Sequence, residues 1–161
     1  MGVSKADDLQ VRVVHLEPMR VASSYGFGTS PEEIAWKKML EWAKAKGVPD
    51  KPQEVRFFGF NNPNPSAESP SYGYEQWMTV GPDIGADDNI EIKAIPRGMY
   101  LVTRCTGLQN IGEVWARLLM WQEGSGYEMA PGYCLEECIN PPPEVFEQVV
   151  MDLYLPVAEG K

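Results

Sequence analysis

Residues 32–47 read EEIAWKKMLEWAKAKG and residues 112–126 read GEVWARLLMWQEGSG. Laid over one another, they match Trp36 with Trp115, Leu40 with Leu119, Trp42 with Trp121 and Gly47 with Gly126, always 79 residues apart. Gly28 and Gly107 keep the same offset. Both stretches have helical periodicity, and self-similarity at one fixed offset marks a duplicated module. For the first helix Ser30 is the expected cap, Pro31 the first helical residue and Glu33 the capping-box partner, with Asn110 and Glu113 serving the second. The expected apolar stripes are Ile34, Trp36, Met39, Leu40 and Ala43, and Val114, Trp115, Leu118 and Leu119. At about 100° per residue, Trp36 and Trp42 lie roughly 120° apart around the helix. One of such a pair can pack inward while the other borders a groove.

The flanks repeat as well. VRVVHLEPMRVAS from Val11 resembles IEIKAIPRGMYLVT from Ile90, each an alternating strand, a Pro-centred turn at Pro18 or Pro96, and a second strand. After each helix come two more strands: RFFGFNNP then YGYEQWMTV, and YCLEECINPP then VVMDLYLPV. Asn62-Pro63 matches Asn140-Pro141, and Glu75-Gln76-Trp77 matches Asp152-Leu153-Tyr154. Each half therefore reads β-β-α-β-β, over about 11–83 and 89–157, joined by the acidic turn GADDN. The predicted fold is one α+β domain over 1–161. It is a duplicated module with pseudo-twofold symmetry, its antiparallel sheet and two helices set around a central groove.

Composition bounds the function. The chain has 161 residues, 43% hydrophobic and 23% charged, with a net charge of −9. That charge disfavours direct contact with nucleic acid, which needs clustered Lys and Arg, and favours cationic partners. No apolar run approaches a membrane span, and the N-terminus lacks the apolar core of a signal peptide. With three cysteines, Cys105, Cys134 and Cys138, the expectation is reduced thiols in a cytoplasmic protein. Cys134 and Cys138, four apart in a strand, are separated by roughly 13 Å, too far for a disulfide or a shared metal. No metal or cofactor site is expected, and the single histidine, His15, reads as structural.

Aromatic residues are abundant: five Phe, seven Tyr and five Trp. Strand residues two apart share a face, so Glu75 points with Trp77 and Asp152 with Tyr154. Glu136 and Glu137 are adjacent, so one must face each way. A carboxylate turned inward beside aromatic walls attracts flat cations.

Tyr72-Gly73-Tyr74-Glu75, the Trp-bearing helix followed by Ser125-Gly126-Tyr127, Leu135-Glu136-Glu137-Cys138, and Leu153-Tyr154-Leu155-Pro156 occur in an order that resembles the GyrI-like superfamily. The same domain is the effector-binding domain of AraC- and MerR-class multidrug regulators. The likeness runs from about Val11 to Val157. It implies a duplicated α+β fold of SHS2 type whose groove binds bulky, often cationic aromatic molecules against a buried Glu and aromatic walls. The family's pattern of Glu, any residue, aromatic falls on Glu136-Glu137-Cys138, with Cys138 in the aromatic place. Its register turns Glu136 inward and Glu137 outward. The family's last-strand Tyr falls on Tyr154, and Glu75 and Trp77 take the symmetric places. Trp115, Tyr25 and Glu137 complete the candidate binding set. With the first strand beginning by about Val11, the expectation is a stand-alone module without a DNA reader. The reading is stand-alone binding of lipophilic cationic aromatic molecules. Two alternatives stay open. One is a hydrolase of cyclopropane-bearing electrophiles, with Glu75 or Glu136 as general acid or base and Trp77 or Trp115 as platform. The other is a protein-interaction module of gyrase-inhibitor type. Monomer and homo-oligomer also remain open.

Overall fold

The computed structural model describes residues 9–47, 55–61, 66–139 and 149–159. In chain order its elements are β1 (Arg12–Leu16), β2 (Met19–Gly28), α1 (Pro31–Lys46), β3 (Phe57–Asn61), β4 (Tyr72–Thr79), β5 (Glu91–Ile95), β6 (Gly98–Thr106), α2 (Ile111–Glu123), β7 (Tyr127–Met129), β8 (Leu135–Cys138) and β9 (Val150–Glu159). All strand pairs described are antiparallel, and with two helices the fold is α+β. No helix among the described residues is long and apolar enough to cross a membrane.

The chain forms two compact units, one of residues 18–96 and one of residues 1–17 with 97–161. The first orders its strands β3-β4-β2-β5, the second β8-β9-β6-β1, so the repeat seen in the sequence is a repeat of topology. The first strand of each repeat is exchanged, however. β1 does not pair with its neighbour β2 but with β6, from Arg12↔Val102 to Leu16↔Gly98. β5 likewise pairs with β2, from Met19↔Ile95 to Ser23↔Glu91. The links explain this. Tight two-residue hairpins need residues at positive φ, whereas Glu17-Pro18 and Pro96-Arg97 carry a proline locked near −65°. The chain therefore runs on instead of folding back.

In unit 18–96, α1 buries Pro31, Ala35, Met39, Trp42 and Ala43. Ile34 and Leu40, expected in its apolar stripe, are instead exposed by 40% and 39%. Close backbone approach sets this face. A Cβ on Gly26 of β2 would lie 2.3 Å from the Pro31 carbonyl oxygen and 2.8 Å from Ile34 Cβ. The hydroxyl of Ser24 donates to the Ala35 carbonyl at 2.7 Å. Contact this tight selects small residues over the larger ones beside them. Ser30 and Pro31 stand at the helix start as expected, but Ser30 makes no capping bond through its side chain. Gly47 ends the helix at φ 67, its N–H reaching the Ala43 and Lys44 carbonyls, in the left-handed conformation that glycine adopts at least cost.

In the other unit, Val114 and Leu118 of α2 pack with Leu101, Cys105, Leu153, Leu155 and Val157. Trp115 is half-buried and Leu119 exposed, which narrows the stripe expected for α2. Asn110 turns its amide back to the Thr106 carbonyl at 2.9 Å and does not cap with its side chain. The eight-strand reading also missed β7, a three-residue strand on Val157–Glu159 of β9. The single His15 is exposed on the edge strand β1. Asn62-Pro63 and Asn140-Pro141 lie outside the described residues.

Candidate functional site

Strand alternation in unit 18–96 puts α1 against one sheet face and leaves Ser23, Tyr25, Glu75 and Trp77 together on the other. The register places Tyr25 opposite Glu75 and Ser23 opposite Trp77. Glu75 is only 4% exposed. A carboxylate so deep must be compensated, and three donors do this. Ser23 Oγ lies 2.9 Å and Trp77 Nε1 3.0 Å from Glu75 Oε1. The third donor is the Lys93 ammonium on edge strand β5. Trp77 is 1% exposed and stacks edge-on to Phe60 at 5.0 Å. It positions the carboxylate and is not itself a wall.

Beside Glu75 opens a cavity of about 390 Å³, within the range usual for small-molecule sites, about 300–1,000 Å³. Tyr25, 41% exposed, lines it. Its charged lining is Glu75, Glu91 and Asp88 against Lys38 and Lys93, an excess of one negative charge. Lys38 is held by the Tyr25 carbonyl at 2.8 Å.

The remaining candidates belong to the other unit. Tyr154, 2% exposed, donates its hydroxyl to Glu137 Oε1 at 2.7 Å. Glu137 is 7% exposed, whereas Glu136 is half-buried and accepts from Trp115 Nε1 at 3.1 Å. The expected register on β8 is thus reversed. Pairing of Leu135 with Tyr154 and of Glu137 with Asp152 turns Glu137 to the face of Tyr154 and Asp152, and Glu136 to α2. Asp152, 2% exposed, lies between two guanidinium groups. Arg12 Nη2 is 2.6 Å from Oδ2, and Arg104 Nε is 2.8 Å from Oδ1. Its bond to Arg104 holds that guanidinium above even its usual high range, the charge of Asp152 adding to this. Sequence reading singled out Asp152 but missed both arginines, because Arg12 lies 140 residues away on the exchanged strand. The three cysteines are free thiols, and burial, then the Glu136 charge, pushes Cys105 up.

A family model described as integron-associated effector binding protein matches residues 12–157. Among curated proteins nothing matches. Solved structures that resemble the chain include the EcmrR C-terminal domain, 16% identical with a TM-score of 0.76 over 94% of this chain and 98% of that one. EcmrR in a DNA complex matches at 16% identity and a TM-score of 0.70 over 93% of this chain, which spans 57% of that longer chain. The Vibrio cholerae integron cassette protein VCH_CASS2 is 12% identical, with a TM-score of 0.57 over 92% of this chain and 95% of that one. SAV2435, solved with tetraphenylphosphonium bound, is 10% identical, with a TM-score of 0.55 over 93% and 94%. At these identities the structures show the fold. The family match supports small-molecule effector binding as the general activity.

Proposed function

The chain belongs to the family of integron-associated effector binding proteins, and from that premise we propose that it binds flat organic cations in the cavity beside Glu75. The carrying observation is the Glu75 carboxylate itself. It is buried, oriented by the Ser23 hydroxyl and the Trp77 indole, and neutralised by a lysine whose side chain is 33% exposed. A ligand cation reaching Glu75 takes over from Lys93, which swings into water on its long stem. The carboxylate stays paired throughout, so entry does not incur the cost of an uncompensated buried charge. The Tyr25 ring offers a cation–π surface, worth about 0.5–2 kcal/mol. Asp88 and Glu91 at the cavity draw cations toward it. The tetraphenylphosphonium bound to SAV2435 is likewise a lipophilic aromatic cation, tetrahedral in shape where the ligands proposed here are flat.

Calorimetric titration of the full chain at pH 8 with N-methylacridinium and with neutral acridine tests this. The cation should bind about tenfold or more tightly than its neutral counterpart, a difference of at least about 1.4 kcal/mol. Equal affinities, or preference for acridine, would reject the electrostatic reading of the site.

A further inference from the structure

On the reading that cations bind at Glu75, the seat such a cation would take is already filled from within the chain. The Lys93 ammonium contacts Glu75 Oε1, and Glu91 Oε2 lies 4.0 Å from the same nitrogen. Strand register brings them together. Glu91 lies opposite Ser23 and Lys93 opposite Val21, so both share the sheet face of Ser23 and Glu75. Ser23, Glu75, Glu91 and Lys93 all line the cavity of about 390 Å³. The two lysines there differ in what holds them. Lys38 is bonded to the Tyr25 carbonyl, 2.8 Å away, whereas Lys93 is bonded to the buried acid. Its strand, β5, ends the sheet order at one edge, and 33% of its side chain is exposed. The flexible four-carbon stem can therefore lift the ammonium into water.

We propose that Lys93 is a tethered competitor that sets which cations the cavity admits. An ammonium on its own side chain meets Glu75 at an effective concentration of order millimolar or above. A free cation must displace it, so apparent affinity is reduced to the fraction of time for which Glu75 stands open. With the pair open for about one tenth of the time, every cation loses about tenfold. A small ammonium ion exchanges one ammonium for another and gains nothing to offset that loss. A cation with a ring system also covers exposed Tyr25, and that contact lifts it above the threshold. Small inorganic and alkylammonium ions are thereby kept from the buried acid without a steric gate.

The test is calorimetric titration of the full chain, Lys93→Gln and Lys93→Arg at pH 8 with N-methylacridinium, tetramethylammonium and neutral acridine. Lys93→Gln should strengthen N-methylacridinium about tenfold or more. Tetramethylammonium, silent against the parent at millimolar concentration, should bind this variant. Acridine, which displaces no charge, should stay within about threefold of its parental affinity. Lys93→Arg should weaken N-methylacridinium about threefold or more, because a guanidinium fork grips a carboxylate through two bonds where an ammonium is a point charge. Should Lys93→Gln fail to fold by circular dichroism, the arginine variant decides, and parental affinity there overturns the proposal. A parent that prefers the cation, with Lys93→Gln binding it no better, overturns the competitor role and leaves cation binding at Glu75 standing. An equal gain for acridine in Lys93→Gln, which would report added space, or tetramethylammonium binding to the parent also overturns it. Equal affinity for cation and acridine in both parent and Lys93→Gln rejects the underlying reading and this one with it.

Discussion

At Glu75 and Trp77, the shared face was legible from alternation, but the role of the indole was not: expected as a wall for the ligand, it donates to the carboxylate instead. Residues two apart in a strand share a face, and an acid next to an indole on the buried side finds its donor there. The same rule joined Asp152 with Tyr154 but failed at Glu136 and Glu137. Adjacent acids carry no signal of which faces inward, and the family pattern was anchored on an aromatic place that holds Cys138. What decides is pairing with β9, which a four-residue strand does not announce. Tyr154→Phe removes one donor from buried Glu137. It should cost about 1–3 kcal/mol of stability by urea denaturation, because a buried acceptor then loses a partner. A cost below about 0.5 kcal/mol would mean that the Tyr154–Glu137 bond does not form in solution. Among the thiols, exposed Cys134 should react with Ellman's reagent in the folded protein. Burial and the Glu136 charge push both thiols up, so access decides, and buried Cys105 should react only on unfolding. Equal rates would contradict the packing of β6 against α2.

At the scale of elements, the positions of both helices were legible and their inner faces were not. Periodicity marks large apolar residues, so Ile34 and Leu40 were expected inside. The face is chosen by how close β2 approaches, and that shows only as small residues: Gly26, Ser24 and Ala35. Gly26→Ala drives a methyl to 2.3 Å from the Pro31 carbonyl oxygen, a backbone atom that cannot step aside alone. It should lower stability by about 1–3 kcal/mol, the usual range for overpacking. Gly81→Ala, with open space around its Cβ position, should stay within about 0.5 kcal/mol of the parent. Equal midpoints for the two variants in denaturant would show that α1 does not sit this close to β2. β7 escaped the sequence reading because three residues are too few to show alternation.

At the scale of the molecule, the duplication was legible and the exchange of β1 and β5 was not. Hydrophobic patterning defines strands but not their partners. The prolines between β1 and β2, and between β5 and β6, were the available sign, and they were read as turns. Fragment 18–96 holds a complete set of partners, β3-β4-β2-β5 with α1. It should unfold cooperatively on its own, whereas fragment 11–83, which keeps β1 in place of β5, should not. Cooperative melting of 11–83 alone would contradict the exchanged pairing. The exchange also serves the two buried acids, since β5 brings Lys93 to Glu75 and β1 brings Arg12 to Asp152. The measurement closest to the central claim is titration of N-methylacridinium against the parent chain, Glu75→Gln and Glu137→Gln. Glutamine keeps the shape of each side chain and removes its charge. The account predicts that Glu75→Gln weakens the cation by about 1.5–3 kcal/mol, the scale of a charged hydrogen-bond partner, while Glu137→Gln leaves its affinity within about threefold of the parent, under 1 kcal/mol. A loss confined to Glu137→Gln, or parental affinity in Glu75→Gln, would contradict it.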